Sequence, residues 1–247
     1  MIVGATVTWN AMDNIEKVAA SLRATCDVTM AFDDGSDDGT QELLPKLFNI
    51  VFPSKVRYPG MLTLRRAMLF SEAQRLGAKW FVYLDHDEVF GKRLEESLRG
   101  ILEHCEAEDK EMVMAPLVQF WGDTKHRMVK RGEMPGECIA WRADLGFNYY
   151  GTLCEIFTHN DTNYRWHAPR APFGVGANDK TMILRYPHAA LLHYGTIPAE
   201  KAAKRREWAK SIGLANLYYE EPGPGELEEV DENPAWDRCA NSIIIPE

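Results

Sequence analysis

The chain has 247 residues, of which 45% are hydrophobic, and 28 Lys plus Arg stand against 37 Asp plus Glu, giving a formal charge of -9. This length and apolar content suffice for one compact domain with a substantial core. The acidic balance argues against a general electrostatic attraction to nucleic acid or anionic membranes, although a local basic patch would remain compatible with either.

The N-terminal segment and the cysteines favour a cytoplasmic protein with reduced thiols. The first 14 residues lack the charged start and the apolar run of a signal peptide, and no window has the ~20 apolar residues of a membrane span. The five cysteines are an odd number without a C-x-x-C pair, which fits free thiols better than disulfides or a zinc site. We expect structural roles for Cys26, Cys105, Cys138, Cys154 and Cys239.

In chain order, the first third alternates strands with helices. Apolar and β-branched runs predict four strands, at 1–9, 27–32, 48–53 and 79–84. Helical spacing of apolar residues predicts three helices, at 14–24, from Thr40 onward, and at 61–77 with Gly77 as its end. This alternation predicts an α/β fold with a mostly parallel sheet covered on both faces. In such sheets ligands bind beyond the carboxyl ends of the strands.

The second half is less regular. Strand-like runs lie at 112–121, 137–144 and 181–187, separated by turns rich in Gly, Pro and Asn. A basic, helix-favouring segment follows at 199–221. The acidic tail at 222–247 is rich in Pro and Gly at its start, which is typical of a loop or a wrapped arm.

The sequence "DHDE" at 85–88 follows the fourth predicted strand. In an extended segment Asp85 and Asp87 point to the same side, roughly 6 to 7 Å apart, because each residue rises about 3.3 Å. Such a pair can hold Mg²⁺ or Mn²⁺, which complete their coordination with water and substrate phosphates. An isolated D-x-D is more often an exposed acidic strand end, so the spacing alone is weak support for a metal site.

The sequence "DDGSDDGT" at 33–40 follows the second predicted strand. An EF-hand loop beginning at Asp34 would have Pro45 in place of its bidentate Glu. An aspartyl-nucleophile phosphatase needs D-x-D-G-T after its first strand, whereas Ser36 stands at the first Asp and the run follows the second strand. There remains a turn whose carboxylates accept hydrogen bonds from a base or ribose. Asp34 is the expected contact, and Gly35 permits close approach of the backbone.

Several segments, in order, resemble the motifs of family-2 glycosyltransferases of the GT-A fold. They are "TVTWN" at 6–10, "FDDGSDDGT" at 32–40, "LRRAMLFSEA" at 64–73 and "KWFVYLDHDE" at 79–88. Two more, "YYGTLCEIF" at 149–157 and "LLHYGTIPAEKAAKRRE" at 191–207, resemble the bacterial subset that includes lipopolysaccharide-core and peptide glycosyltransferases. The chain departs from the motifs at Trp9, Ala67 and Cys154.

The resemblance implies a GT-A fold, Rossmann-like, with a mostly parallel sheet flanked by helices, an irregular acceptor-side half and a C-terminal helix. It divides one domain, 1–221, into a nucleotide-sugar-binding half at 1–111, an acceptor-side half at 112–198 and the basic helix at 199–221.

The resemblance also implies roles on the donor side. Thr8 and Asp34 become nucleotide contacts, with Asp34 on the base. Arg66 takes the place of the arginine in the Q-R-N motif, and Arg65 would replace it if the register shifts by one. Lys204 lies on the basic helix, which either covers the diphosphate, meets an anionic acceptor, or is a solvated face.

For the metal, the resemblance makes Asp85 and Asp87 the D-x-D pair. Asp87 is the principal ligand, and Asp85 lies nearer the ribose or a metal-bound water. His193 is a further ligand, and its imidazole suits Mn²⁺ better than Mg²⁺. The resemblance also makes Glu155 the general base, and its apolar flanks favour a raised pKa. Asp144 is the reserve candidate.

The predicted function is therefore that of a metal-dependent, inverting glycosyltransferase of the hexosyltransferase type, which uses a nucleotide sugar with UDP as the expected nucleotide. The acceptor stays open among a glycan or lipid, a protein side chain and a modified DNA base. A sugar-phosphate nucleotidyltransferase is an alternative, but it would need a Gly-rich phosphate loop with Arg near residue 10, and the chain has none there. A non-catalytic nucleotide- or glycan-binding module is another, against which Asp85, Asp87 and Glu155 argue.

Overall fold

The structure, a computed structural model, describes residues 1–57, 61–128, 137–145, 180–184 and 190–195, together with positions 200, 203, 207 and 227–229. Within these residues the helices are α1 (Ile15–Thr25), α2 (Thr40–Leu47), α3 (Leu62–Arg75) and α4 (Lys92–Ala107). The strands are β1 (Ile2–Thr8), β2 (Val28–Asp33), β3 (Ile50–Pro53), β4 (Trp80–Tyr83), β5 (Glu88–Phe90), β6 (Met112–Ala115), β7 (Leu117–Trp121), β8 (Asp123–Met128), β9 (Glu137–Arg142), β10 (Thr181–Ile183), β11 (Leu191–His193) and β12 (Leu227–Glu229).

The main sheet has seven strands in the order β10-β6-β9-β4-β1-β2-β3. Neighbouring strands are parallel except where β9 pairs with β4 and β6. The prediction of an α/β fold with a mostly parallel sheet is confirmed.

Helices cover both faces of the main sheet. On one face, α1 and α4 share an apolar core with Trp80 and Val82 of β4. On the other face, α3 packs Leu69 and Phe70 near Phe81 of the same strand. Because successive side chains of a strand point to opposite faces, a strand covered on both sides is apolar at every position. That is why β4 is so clear in the sequence.

The end of α3 also follows the prediction. Gly77 has φ +77 and its N–H donates to the carbonyl oxygen of Gln74 at 2.9 Å, while the Ala78 N–H donates to that of Ala73 at 2.9 Å. A left-handed glycine after the last turn is the usual way to satisfy the terminal carbonyls of a helix.

A small sheet of five strands, in the order β12-β8-β7-β11-β5, lies beside the D-x-D segment. Its strand β11 pairs parallel with β7 and antiparallel with β5. One face carries its own apolar cluster, which includes Val118 and Phe120. The other face contributes Leu191 and Phe90 to the core shared with α1 and α4. The small sheet thereby brings residues near 190 next to the D-x-D segment.

One strand prediction is wrong in detail, and the tail contains a short strand that was not predicted. The run at 112–121 forms two strands in different sheets, β6 and β7, separated by Pro116. Proline lacks an N–H and interrupts a strand ladder. In the tail predicted as a loop or arm, Leu227–Glu229 forms β12 and pairs antiparallel with β8.

The helices hold one element that the sequence analysis did not predict. Helix α4 has 16 residues and buries a stripe formed by Leu94, Leu98 and Leu102.

The predicted basic helix at 199–221 lies almost wholly outside the described residues, of which 200, 203 and 207 are helical. In the described part of the chain, no helix combines the length and apolarity needed to cross a bilayer. The cytoplasmic location stays a prediction.

Candidate functional site

The carboxyl ends of β1, β2 and β4 lie side by side at one edge of the main sheet, because these strands are parallel neighbours. Backbone hydrogen bonds keep the chain segments aligned at the ends of these strands. The Asp34 N–H donates to the carbonyl oxygen of Thr8 at 2.8 Å, and the Leu84 N–H to that of Ala5 at 3.1 Å. Both acidic clusters therefore begin at the edge where open α/β sheets bind ligands.

Two of the four carboxylates in the turn at 33–40 hold the turn itself. Asp33 is fully buried, and its Oδ2 accepts from the backbone N–H groups of Gly35 and Ser36, both at 3.2 Å. Asp37 accepts from the side-chain amide of Asn10 at 2.7 Å, which ties the turn to the segment after β1. Both carboxylates therefore take part in holding the turn.

Asp38 fixes the start of α2. Its Oδ1 accepts from the backbone N–H of Thr40 at 2.9 Å and from the Thr40 hydroxyl at 2.6 Å, and its Oδ2 from the Met12 N–H at 3.2 Å. Burial alone would raise the pKa of the Asp38 carboxyl, but these hydrogen bonds outweigh burial and lower the pKa below its ordinary value.

Asp34 differs from the other three because its partner is a cation on α3. The Nε and Nη2 atoms of Arg65 donate to its Oδ1 at 3.1 and 3.0 Å. The side chain of Asp34 is 14% exposed. Within the described residues its Oδ2 has no hydrogen-bond partner. One oxygen of a fixed carboxylate is thus left for a ligand.

The two carboxylates of the D-x-D pair have different surroundings. Asp85 is 28% exposed at its side chain, and its Oδ1 accepts from Nη2 of Arg66 at 2.8 Å. Asp87 is 3% exposed, and its Oδ1 lies 3.6 Å from Nε2 of His193. The pairing of β11 with β5 brings His193 to this position from a distant part of the chain.

Consecutive arginines on α3 reach the acids of both clusters. Besides its ion pair, each guanidinium lies over an aromatic ring of the adjacent strand: Arg65 is 4.7 Å from the ring centroid of Phe32, and Arg66 is 4.7 Å from that of Tyr83. The sequence analysis assigned the motif arginine to Arg66, with Arg65 as its replacement. The structure brings both to the edge, each to a different acid.

Glu88 closes the D-x-D turn. It is 1% exposed, its Oε2 accepts from the Asp85 N–H at 3.0 Å, and its own N–H donates to the Asp85 carbonyl oxygen at 3.0 Å. The backbone of Asp87 is held by a further bond, from the Tyr194 N–H to its carbonyl oxygen at 2.7 Å. The motif contains Glu88, but the sequence analysis assigned it no role.

Comparison with solved structures identifies the fold. A structure of residues 1–349 of TarS from S. aureus matches with a TM-score of 0.51 at 13% identity, over 85% of this chain and 65% of that chain. The same fragment in complex with UDP-GlcNAc gives 0.50 at 13% identity, over 85% and 66%. Another TarS structure gives 0.50 at 13% identity, over 85% of this chain and 39% of that chain.

The chain has the GT-A glycosyltransferase fold. No protein-family model matches the chain, and no curated protein matches it in sequence. The chain spans less than two thirds of each of these TarS chains. At this identity the likeness shows the GT-A fold and not the bacterial subset suggested by the last two motifs.

Within the GT-A fold, Thr8 lies at the binding edge, where its side chain is buried and its hydroxyl has no hydrogen-bond partner among the described residues. The residue is 1% exposed. What Thr8 offers at the edge is its carbonyl oxygen, which accepts from the Asp34 N–H. Its role as a nucleotide contact stays a prediction, and the contact that the structure gives it is the support of Asp34.

Asp144, the reserve base, lies at the opposite edge of the sheet. Strand β9 runs antiparallel to β4 and places Arg142 opposite Trp80, at the amino end of β4. Two hydrogen bonds from the Arg142 guanidinium, both 2.6 Å, lower the pKa of the Asp144 carboxyl. The reserve assignment is wrong, because Asp144 is remote from the carboxyl edge and is a weakened base.

The Asp87 and His193 pair fits a divalent cation. Two ligands of one ion, each about 2.1 Å from it, lie about 3.0 to 3.4 Å apart. The observed 3.6 Å is close to that separation and too long for a hydrogen bond. In the described ranges no group of three His, Cys, Asp or Glu residues is assembled around one position. Asp85 is turned to Arg66 and is not grouped with the other two.

Four further predictions fall on residues outside the described part of the chain. They concern the base Glu155, the departure Cys154, the phosphate-covering Lys204, and Cys239.

One residue near His193 was missed. Gln119 is buried within β7, and its signal in the sequence is a polar residue inside the apolar run "LVQFW".

Proposed function

We propose that this protein is a metal-dependent, inverting glycosyltransferase that takes a sugar from a nucleoside diphosphate sugar and transfers it to an acceptor. One observation carries the proposal. A carboxylate with an available oxygen, Asp34, follows β2, and the acid of an acid–imidazole pair suited to a cation, Asp87 with His193, follows β4, so both acids lie beyond the carboxyl ends of strands that flank β1. These are the two contacts that a nucleotide diphosphate requires, one at its base and one at its phosphates.

The similarity to TarS supports the choice of nucleotide. A matching TarS structure is a complex with UDP-GlcNAc. We infer that UDP is the nucleotide of this chain's donor as well, with Asp34 accepting a hydrogen bond from the base. Arg65 fixes the orientation of the Asp34 carboxylate through two hydrogen bonds to Oδ1. The Oδ2 atom is then held in a defined direction, in which it can accept a hydrogen bond from the base.

The transfer requires that the leaving diphosphate be stabilised and the acceptor deprotonated. A bound divalent cation supplies charge stabilisation of the phosphates. Asp87 and His193 would hold that cation, and the buried backbone around Glu88 keeps the two ligands at a fixed separation. Asp85 would meet the ribose or a metal-bound water once Arg66 releases it. The resemblance assigns the deprotonation to Glu155, and Lys204 would cover the diphosphate.

A thermal-shift and hydrolysis screen over nucleotide sugars, with and without Mn²⁺, tests the proposal. We expect one or more UDP-sugars to raise the melting temperature only when metal is present. A nucleotide-binding module would show the shift without turnover, and a nucleotidyltransferase would release diphosphate from a nucleoside triphosphate and a sugar phosphate. If no nucleotide sugar gives a metal-dependent shift, the proposal is wrong.

Two variants separate binding from chemistry. Asp87→Asn should abolish metal-dependent donor binding, because the cation loses its charged ligand. Glu155→Gln should keep donor binding and lose transfer. Asp109→Asn is the matched control, since this carboxylate is 79% exposed at its side chain, pairs with Lys180 and lies away from the site. Transfer by Glu155→Gln at the parental rate would remove the base assignment alone.

A further inference from the structure

The small sheet buries a row of three polar side chains, and the middle one is His193, the partner of Asp87. Glu88 on β5 and Gln119 on β7 are the cross-strand partners of His193 on β11. Their exposures are 1%, 2% and 7% respectively. Cross-strand partners project from the same face of a sheet. The intervening positions of β7, Val118 and Phe120, face the separate apolar cluster on the other side.

Gln119 is unusual in this row. Neither its amide oxygen nor its amide nitrogen reaches solvent, and in the part of the chain that the structure describes neither has a hydrogen-bond partner. Leaving a buried amide unpaired costs on the order of 1 to 3 kcal/mol, and buried polar groups in folded proteins are normally paired. An apolar side chain of the same length would fill the space without this cost. Within the described residues, the amide therefore has hydrogen-bonding capacity available for another group.

We propose that Gln119 is a positioning residue for His193. When a cation binds, the Gln119 amide oxygen accepts a hydrogen bond from Nδ1–H of His193, which fixes the tautomer that presents Nε2 to the cation shared with Asp87. A second partner of this kind commonly orients a metal-binding imidazole. This inference rests on the proposed function, because it assumes the cation at Asp87 and His193.

Two features of the row favour His193 as the group on which Gln119 acts. The amide is closed to solvent, so a dissolved donor cannot touch it in this conformation. On the other side of His193, the Oε2 atom of Glu88 accepts a hydrogen bond from the Asp85 N–H at 3.0 Å and so stabilises the D-x-D turn. Gln119 is thus the neighbour whose side chain can turn to the imidazole without breaking a bond within the described residues.

The first test measures Mn²⁺ affinity by electron paramagnetic resonance, together with the melting temperature. Gln119→Met should bind Mn²⁺ at least about 10-fold more weakly, while its melting temperature stays equal or rises because an unpaired amide is removed. Gln119→Glu should retain the affinity, since its carboxylate can accept the same hydrogen bond. Leu117→Met, on the same strand and face, is the matched control and should bind as the parent does.

The second test observes the ring itself. In the Mg²⁺-loaded protein, ¹⁵N spectra of the imidazoles, assigned with His193→Gln, should show His193 as one tautomer with the proton on Nδ1. Gln119→Met should show both tautomers. A residue that only fills space would change neither the tautomer nor the affinity.

The outcomes distinguish this inference from the function on which it rests. Parental Mn²⁺ affinity in Gln119→Met overturns the positioning role and leaves the cation site intact. A loss in Gln119→Glu as deep as in Gln119→Met also overturns it, because the hydrogen bond would then not matter. If the parent protein binds no Mn²⁺, both the cation site and the positioning role are wrong.

Discussion

Asp34 and Asp37 lie in the same acidic turn but have different hydrogen-bond partners. Asp37 accepts from Asn10 and joins two loops, whereas Asp34 is held by Arg65 and keeps one oxygen available. The dense charge of the turn is therefore mostly structural. Among the described residues, Asp34 is the one of the four that pairs with a cation, Arg65 on α3.

This difference gives a prediction for nucleotide binding. Asp34→Asn should weaken UDP binding about 10- to 100-fold, because a charge-assisted hydrogen bond contributes about 1.5 to 3 kcal/mol and each 1.4 kcal/mol is about tenfold. Isothermal titration calorimetry at fixed Mn²⁺ measures it. Asp37→Asn, with the same chemical change three residues away, should bind within about twofold of the parent. Equal UDP affinity in both variants would show that Asp34 is not the base contact.

The motif predicted from the sequence that Asp34 and Thr8 lie at the ends of neighbouring strands, but not how differently their side chains are exposed. A pattern indicates which residues end a strand. It does not tell which of their atoms remain uncovered once the neighbouring strands and turns pack, and Thr8 is 1% exposed. The Arg65 and Arg66 ambiguity has a related cause, because the sequence does not fix the rotation of α3 over the sheet.

At the scale of elements, α3 is tied to the ends of two strands by those arginines. The Arg66 side chain is 3% exposed and that of Asp85 is 28% exposed. Removing one member of a largely buried ion pair is costly because the remaining charge has no compensation. Helix α3 and the D-x-D turn should therefore lose stability together.

A double-mutant cycle tests this connection. Arg66→Gln should destabilise the protein by about 2 kcal/mol, below the range for fully buried pairs because Asp85 is partly solvated. Asp85→Asn should cost at least as much, because it removes the carboxylate partner of the more deeply buried Arg66. The double variant should lose less than the sum of the two single losses, with a coupling of about 1 kcal/mol. Urea unfolding measures all four proteins. Strictly additive effects would mean that the pair contributes nothing as a pair.

The elements that the sequence predicted well are the long or wholly apolar ones, such as β1, β4 and α3. The run at 112–121 misled because both strands are apolar, and only the position of Pro116 marks the change of sheet. Strands β5 and β11 have three residues each, which is too short for a period of two to be recognised. Pairing with distant strands, and not local preference, makes them strands.

At the scale of the whole molecule, the site lies where two sheets meet. The main sheet supplies Asp34, and the small sheet supplies His193. The sequence motifs named both residues, but their meeting depends on the pairing of β11 with β5. A nucleotide held by its base at one sheet and through a cation at the other would connect the two sheets.

This arrangement predicts that nucleotide and metal stabilise the fold cooperatively. UDP and Mn²⁺ together, at about 100 times their dissociation constants, should add about 2.7 kcal/mol per saturated site. For a chain of this size each kcal/mol raises the melting temperature by about 2 to 4 °C. Two saturated sites, about 5.4 kcal/mol together, should therefore raise it by about 11 to 22 °C, exceeding the sum of the two separate shifts. Differential scanning calorimetry measures each condition.

The cooperative part should depend on His193, which lies on the small sheet. His193→Gln should keep the small shift caused by UDP alone, since Asp34 and Arg65 are untouched, and should lose the excess seen with both ligands. Asp34→Asn should instead lower the UDP shift and leave that of Mn²⁺ unchanged. The melting-temperature shift of each ligand is measured alone as well as with the other ligand. If His193→Gln still shows the full excess with both ligands, the cation is held without the small sheet.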